Sequence, residues 1–176
     1  MRAVVDAIEG EYRRYKKYGD ETLKQLSDQQ LTQAPATGNS IAAIVWHISG
    51  NLKSRFSDFL TSDGEKPWRD RESEFAQRNV TAGEVMKKWE EGWRVLFDAT
   101  RALDDSQLQQ NVKIRDVPLT VLEALLRSVT HTSYHVGQII FFGKALRGDD
   151  WKYLTIPPGK SEEYAKSADR EKPPSK

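Results

Sequence analysis

Four long segments of this sequence repeat their apolar residues three and four positions apart, which is the spacing of one face of an α-helix. The four segments cover approximately residues 4–26, 40–60, 81–103 and 120–148. Each helix must bury its apolar face against another element, and four helices in one chain can bury these faces against one another. The sequence therefore predicts an all-α fold, an antiparallel four-helix bundle with a short C-terminal helix.

Capping residues mark where three of these helices begin. Asn39 or Ser40 is a favourable N-cap for the second helix. Thr81 and Thr120 are each followed three residues later by a glutamate, the signature of a capping box. Gly148 is suited to end the last long helix because glycine adopts the conformations that other residues avoid there.

The remaining segments read as connections within a single domain of residues 1–166. They predict a possible helical turn after Ser27, a polar loop at 61–75, a short extended segment or hairpin at 111–120, a terminal helix capped by Ser161, and a disordered tail at 167–176. The loop at 61–75 carries Trp68 and several charges, and it is long enough to cover one end of the bundle.

Charge and cysteine content exclude several classes of function. With 27 basic and 26 acidic residues the formal charge is +1, so no strong overall field attracts nucleic acid or anionic lipid. The N-terminus lacks a signal-peptide core and no window approaches a membrane span, so we expect a cytoplasmic protein. The chain has no cysteine, which leaves His, Asp and Glu as possible metal ligands.

Two of the chain's three histidines, His131 and His135, lie four residues apart in the last predicted helix. Residues at this spacing share one helix face, so both rings can point at the same place. The helical wheel puts Arg127, Tyr134 and Gln138 on that face, beside rather than within the apolar stripe. The pair therefore lines a partly polar surface that flanks the core.

The third histidine, His47, lies on a similar polar strip of the second helix, with Asn51 one turn later. If the two strips meet, three imidazoles converge on one point, a common arrangement for a catalytic divalent ion. The alternative is an ordinary packed or surface pair of histidines, which is the more frequent meaning of the spacing alone. Thr132 stands where zinc peptidases have their glutamate, which argues against a peptidase.

The motifs "WHISGN" and "HTSYHVGQI" resemble the DinB/YfiT-like family of four-helix-bundle metalloenzymes over nearly the whole chain. His131, His135, Gly137 and Gln138 match the motif of that family's final helix, and His47 matches its first histidine. The resemblance implies a divalent metal, zinc or nickel, held by these histidines, and a homodimer. It also implies a small-molecule substrate and a transferase that uses a low-molecular-weight thiol such as bacillithiol.

Four further residues are candidates for contact with a substrate or a ligand, and none is assigned a catalytic role. Arg127 can pair with a carboxylate, although a solvated or structural arginine is the commoner case. Asn51 and Gln138 can orient a ligand or serve as ordinary interhelical amides. Tyr134 is expected to pack, with its hydroxyl in reach of the site.

Three functions remain open at this stage. A thiol-dependent transferase is favoured because no acid or base carboxylate is evident beside the histidines. A metal-dependent hydrolase is the second possibility. The third is a non-catalytic bundle that binds metal for stability or serves in a stress response. A structural zinc site normally has four protein ligands, and only Asp58 offers a remote fourth.

Overall fold

A computed structural model describes residues 1–174 and shows a mostly helical chain, so the last two residues of the predicted tail lie outside the described part. The α-helices in the described part are α1 (Ala3–Leu23), α2 (Asp28–Thr32), α3 (Ile41–Phe56), α4 (Arg71–Glu74), α5 (Ala82–Arg101), α6 (Val121–Arg147) and α7 (Ser161–Ala165). Two strands, β1 (Asn111–Ile114) and β2 (Val117–Thr120), form an antiparallel hairpin between α5 and α6.

The predicted starts of three of the four long helices, α3, α5 and α6, are confirmed by their caps. The Ser40 hydroxyl accepts a hydrogen bond from the Ala43 amide at the start of α3. Thr81 and Thr120 form complete capping boxes at the starts of α5 and α6. These reciprocal bonds satisfy backbone N–H groups that have no partner within the helix.

The predicted helix ends and one predicted cap differ from the structure. α1 ends at Leu23, where three-residue turns replace the helical bonds, although Leu26 remains buried. α3 ends at Phe56 because the backbone is already extended at Ser57, with ψ of 127°, and Asp58 then adopts a left-handed backbone with φ of 49°. The prediction that Ser161 caps α7 was wrong: Ser161 is the first helical residue, and Lys160 precedes it without a side-chain cap.

The four long helices enclose the core. α3 packs most extensively against α5, and α1 against α6. Tyr12, Trp89 and Trp93 are fully buried between them. The Tyr12 hydroxyl donates to the Leu125 carbonyl at 3.0 Å, and Trp89 Nε1 donates to Asp20 at 2.6 Å. Within residues 1–174, no helix is both long and apolar enough to cross a bilayer.

The hairpin is fixed beside α3 by the loop that follows that helix. Arg115 and Asp116 have φ of 55° and 61°, as a two-residue hairpin turn requires. The Asp63 carboxylate accepts hydrogen bonds from both of their amides, at 2.9 and 2.8 Å. The Gly64 amide also donates to the Lys113 carbonyl at 2.8 Å. The loop and the hairpin together form one side of the cavity described below.

At Gly92, α5 packs closely against α3. A Cβ added at Gly92 would lie 2.7 Å from the Cα of Ser49, which is backbone and cannot turn away. We expect Gly92→Ala to lower the free energy of unfolding by about 1–3 kcal/mol, the usual cost of overpacking. Denaturant unfolding measures this change.

Gly137→Ala on α6 is the matched control, since a Cβ there meets nothing within 4 Å. It should leave stability unchanged or raise it by up to about 1 kcal/mol, because alanine favours the helix. Equal effects of the two substitutions would contradict a close α3–α5 contact at Gly92.

Candidate metal centre

The structure brings the three histidines together from two helices. His47 is buried on α3, and His131 and His135 are half-buried on α6. One ligand atom from each ring lies within 4.8 Å of the others, and the Nε2 atoms of His47 and His131 are 3.3 Å apart. This meeting of the two polar strips is what their helical spacing predicts.

The donor set fits a divalent transition metal. Zinc–nitrogen bonds of about 2.0–2.1 Å at a tetrahedral angle put two imidazole nitrogens about 3.3 Å apart, which is the separation of the His47 and His131 Nε2 atoms. Neutral imidazoles suit zinc, nickel, copper and iron, whereas calcium and magnesium prefer oxygen ligands. The cluster therefore has the composition and spacing to hold a metal ion, and its donors do not choose between zinc and nickel.

Burial keeps two of these rings neutral. Desolvation, together with repulsion from His135 and His47, lowers the pKa of His131 to about 3. Desolvation also lowers the pKa of His135, against the opposing effect of its hydrogen bond to Gln138. Because metal ligation requires the neutral imidazole, these shifts leave lone pairs available at neutral pH.

A buried carboxylate orients His47, and the sequence did not reveal it. Nδ1 of His47 donates to Oε2 of Glu74 at 2.9 Å, which leaves Nε2 as the acceptor facing the other histidines. Arg69 holds both oxygens of Glu74, at 2.8 and 2.9 Å. Burial raises the pKa of Glu74, but the bonds from His47 and Arg69 outweigh it, so the pKa lies below its usual value. Glu74 is therefore an anion that fixes the His47 ring.

Glu74 comes from the loop that was predicted only to be polar. It ends the short helix α4, which begins after Asp70, and Phe75 stacks on the His47 ring at 4.7 Å. A Cβ added at Gly50, one turn after His47, would lie 2.1 Å from Oε1 of Glu74. A glycine inside the second helix was thus the available signal that another group approaches at that point.

Gln138 and Tyr134 lie at the His135 side of the cluster. Nδ1 of His135 donates to Oε1 of Gln138 at 2.8 Å, so Gln138 orients this ring as Glu74 orients His47. Nε2 of Gln138 donates to the Tyr134 hydroxyl at 3.3 Å. Tyr134 is 64% exposed, so it does not pack in the core.

A cavity of about 410 Å³ opens beside His47 and His131. Asn51, half-buried on α3, and Arg127, exposed on α6, both line it, as does Tyr134. Asp58 is exposed beyond the end of α3 and is not part of the cluster. Within residues 1–174 the cluster thus consists of three imidazoles without a carboxylate ligand.

A family model for a protein of unknown function, DUF1572, matches residues 2–160 of the chain. The chain belongs to the DUF1572 family. In this DUF1572 protein the matched region includes all three histidines, Glu74 and the whole wall of the cavity. It ends just before α7. The comparison with curated proteins finds no match.

Proposed function

We propose that this protein is a divalent-metal-dependent enzyme, a transferase that uses a low-molecular-weight thiol and acts on a small electrophile. The observation that supports it most strongly is the cluster of His47, His131 and His135 at the edge of an accessible cavity. A structural zinc site is normally closed by four protein ligands, whereas catalytic sites have three and leave a position for substrate. Three imidazoles facing a cavity have the second arrangement.

The fold is proposed to be an antiparallel four-helix bundle of the DinB/YfiT-like type, formed by residues 1–166 as one domain. The packing of α3 on α5 and of α1 on α6, with further contacts of α3 with α6 and α1 with α5, supports it. In such bundles, metal sites are built from side chains on facing helices. The three histidines have this arrangement, since they lie on α3 and α6.

The lack of a free base in the cavity favours a thiol over water as the nucleophile. Among the described residues that line it there is no Asp or Glu, and both oxygens of Glu74 are already held by Arg69 and His47. A divalent ion in the site would act as a Lewis acid that lowers the pKa of a coordinated thiol, so that the thiol proton could pass to solvent without a protein base. Since the chain has no cysteine, the thiol must come from a small molecule, for which bacillithiol is one candidate.

The role of Glu74 in orienting His47 can be tested by Glu74→Gln, which removes the charge and keeps an acceptor. Partners of metal-bound histidines contribute about 10–100-fold to metal affinity, so we expect zinc affinity to fall by that range. Competition with a chromophoric chelator measures it. Glu72→Gln, at an exposed position of the same short helix, is the matched control and should bind zinc like the wild type.

Thiol use can be tested with protein loaded with cobalt, which makes coordination visible. Adding a small thiol should produce a thiolate-to-metal absorption band, and the loaded protein should consume the thiol with a chromogenic electrophile faster than metal-free protein or His131→Ala. Equal rates in all three samples would contradict the proposal. Metal-dependent cleavage of ester or amide substrates without thiol consumption would favour the hydrolase instead.

We also propose a homodimer, as the resemblance to the DinB/YfiT-like family implies. Sedimentation equilibrium of the untagged chain should give twice the mass of 20.1 kDa. A concentration-independent mass of one chain would contradict this proposal without affecting the metal centre, since both helices that carry the histidines belong to the same chain.

A further inference from the structure

The cavity beside the histidines has a strongly basic wall. Its six basic side chains come from α3, the loop and α4, the hairpin, and α6; they are Arg55, Arg69, Arg71, Lys113, Arg115 and Arg127. No acidic residue lines it in the part of the chain that the structure describes. Clefts lined by charges of one sign concentrate ligands of the opposite sign, because the low-dielectric walls focus the field.

Two carboxylates behind this wall, Glu65 and Glu74, each bind more than one side chain. Glu65 alone serves both Arg55, at 3.2 Å, and Arg115, at 2.9 Å. Glu74 holds Arg69 and also bonds His47. Burial lowers the pKa of Arg55 most strongly; Glu65 opposes this, while repulsion from Arg69 and Arg115 lowers it further. These arginines therefore repel one another, and the carboxylates compensate their charge only in part.

The other three cations are weakly paired or unpaired. Lys113 lies 3.7 Å from Asp116, an exposed pair that contributes little. Within residues 1–174, Arg71 and Arg127 have no carboxylate partner. Three carboxylates pair with these six basic side chains, and a fourth, Asp63, also interacts with Arg55. Six positive charges thus face four negative ones, which leaves two positive charges unbalanced.

The inner wall of the cavity is apolar. Phe56 and Phe59 are buried there, and Ile114 and Ala124 complete this surface. An apolar lining with a few convergent polar groups is typical of sites for small organic molecules. A free inorganic anion would leave that part of the wall without a partner.

We propose that the cavity binds a small organic anion, whose carboxylate or phosphate group is held by Arg127 and Arg71 and whose carbon skeleton lies against Phe56 and Phe59. Guanidinium groups bind such acid groups through two parallel hydrogen bonds. Arg127 precedes His131 by four residues of α6, a rise of about 6 Å, which a small organic molecule spans. The reactive end of the ligand then lies at His47 and His131. The identity of this ligand as a substrate rests on the proposed function, but its binding needs no metal.

The test is calorimetric titration of the full-length protein with succinate, and with its neutral analogue succinamide, at fixed ionic strength. The titration is done on protein as purified and after chelator treatment. Succinate should bind at least about tenfold more tightly than succinamide, since hydrogen bonds to charged groups are strong. Arg127→Gln and Arg71→Gln should each weaken succinate binding by about tenfold. Arg94→Gln, at an exposed position of α5 outside the cavity wall, should bind like the wild type.

Equal affinity for succinate and succinamide, or unchanged succinate affinity in Arg127→Gln, would overturn the proposal. A parallel titration with methyl phosphate identifies the acid group, because the tighter of the two anions is the one that the arginines select. Zinc uptake is measured on the same samples. Succinate binding without zinc uptake contradicts the proposed function alone, and zinc uptake without anion binding contradicts this inference alone.

Discussion

His131→Ala is expected to weaken zinc binding by more than about 100-fold, since losing only a hydrogen-bond partner of a ligand costs 10–100-fold. His131 is close to both other histidines: its Nε2 is 3.3 Å from that of His47, and its ring centroid is 4.6 Å from that of His135. Without it, two imidazoles from different helices remain. Competition with a chromophoric chelator at neutral pH measures the affinity.

Thr130→Ala is the matched control for that substitution. Thr130 precedes His131, lines the same cavity and is exposed, but its hydroxyl bonds only carbonyls of its own helix. It should bind zinc like the wild type. Wild-type affinity in His131→Ala would show that the three imidazoles do not act as a ligand set.

Trp93→Ala is expected to lower the free energy of unfolding by about 3–5 kcal/mol, the usual cost of truncating a buried tryptophan. Trp93 is fully buried on α5 and makes ring contacts with Tyr12, Trp89 and Phe97. Removing it leaves a cavity at the contact of α5 with α1, which the neighbouring rings can fill only in part. Denaturant unfolding followed by circular dichroism measures the loss.

Trp68→Ala is the control for loss of a tryptophan without loss of packing. Trp68 is 56% exposed in the loop after α3, so its removal should change stability by no more than about 0.5 kcal/mol. A comparable loss in both variants would contradict the assignment of Trp93 to the core.

The helices were predictable because their signals are local. The capping boxes at Thr81 and Thr120 and the cap at Ser40 depend only on residues three apart, and the structure has all of them. The helix ends were less predictable, because apolar residues such as Leu26 remain buried after the helix has stopped. Whether the backbone turns at Asp58 depends on its φ, which the hydrophobic pattern does not encode.

The histidine cluster was predictable because it follows from local helical spacing. The position of Glu74 was not predictable, because it depends on a tertiary contact. His131 and His135 share a helix face by their spacing alone, and His47 lies on a matching strip. Glu74 reaches His47 from 27 residues along the chain through a short helix in a polar loop. The basic wall likewise depends on how the loop and hairpin fold over α3, with Asp63 joining them. Such placements are set by tertiary contacts.

The most direct test of the metal centre is elemental analysis of the untagged wild-type protein, purified without chelator. The three-histidine site predicts close to one zinc or nickel ion per chain, or stoichiometric uptake when either ion is added. Protein that is purified empty and takes up neither ion would contradict the metal centre. His47, His131 and His135 would then be residues that only pack beside a basic cavity.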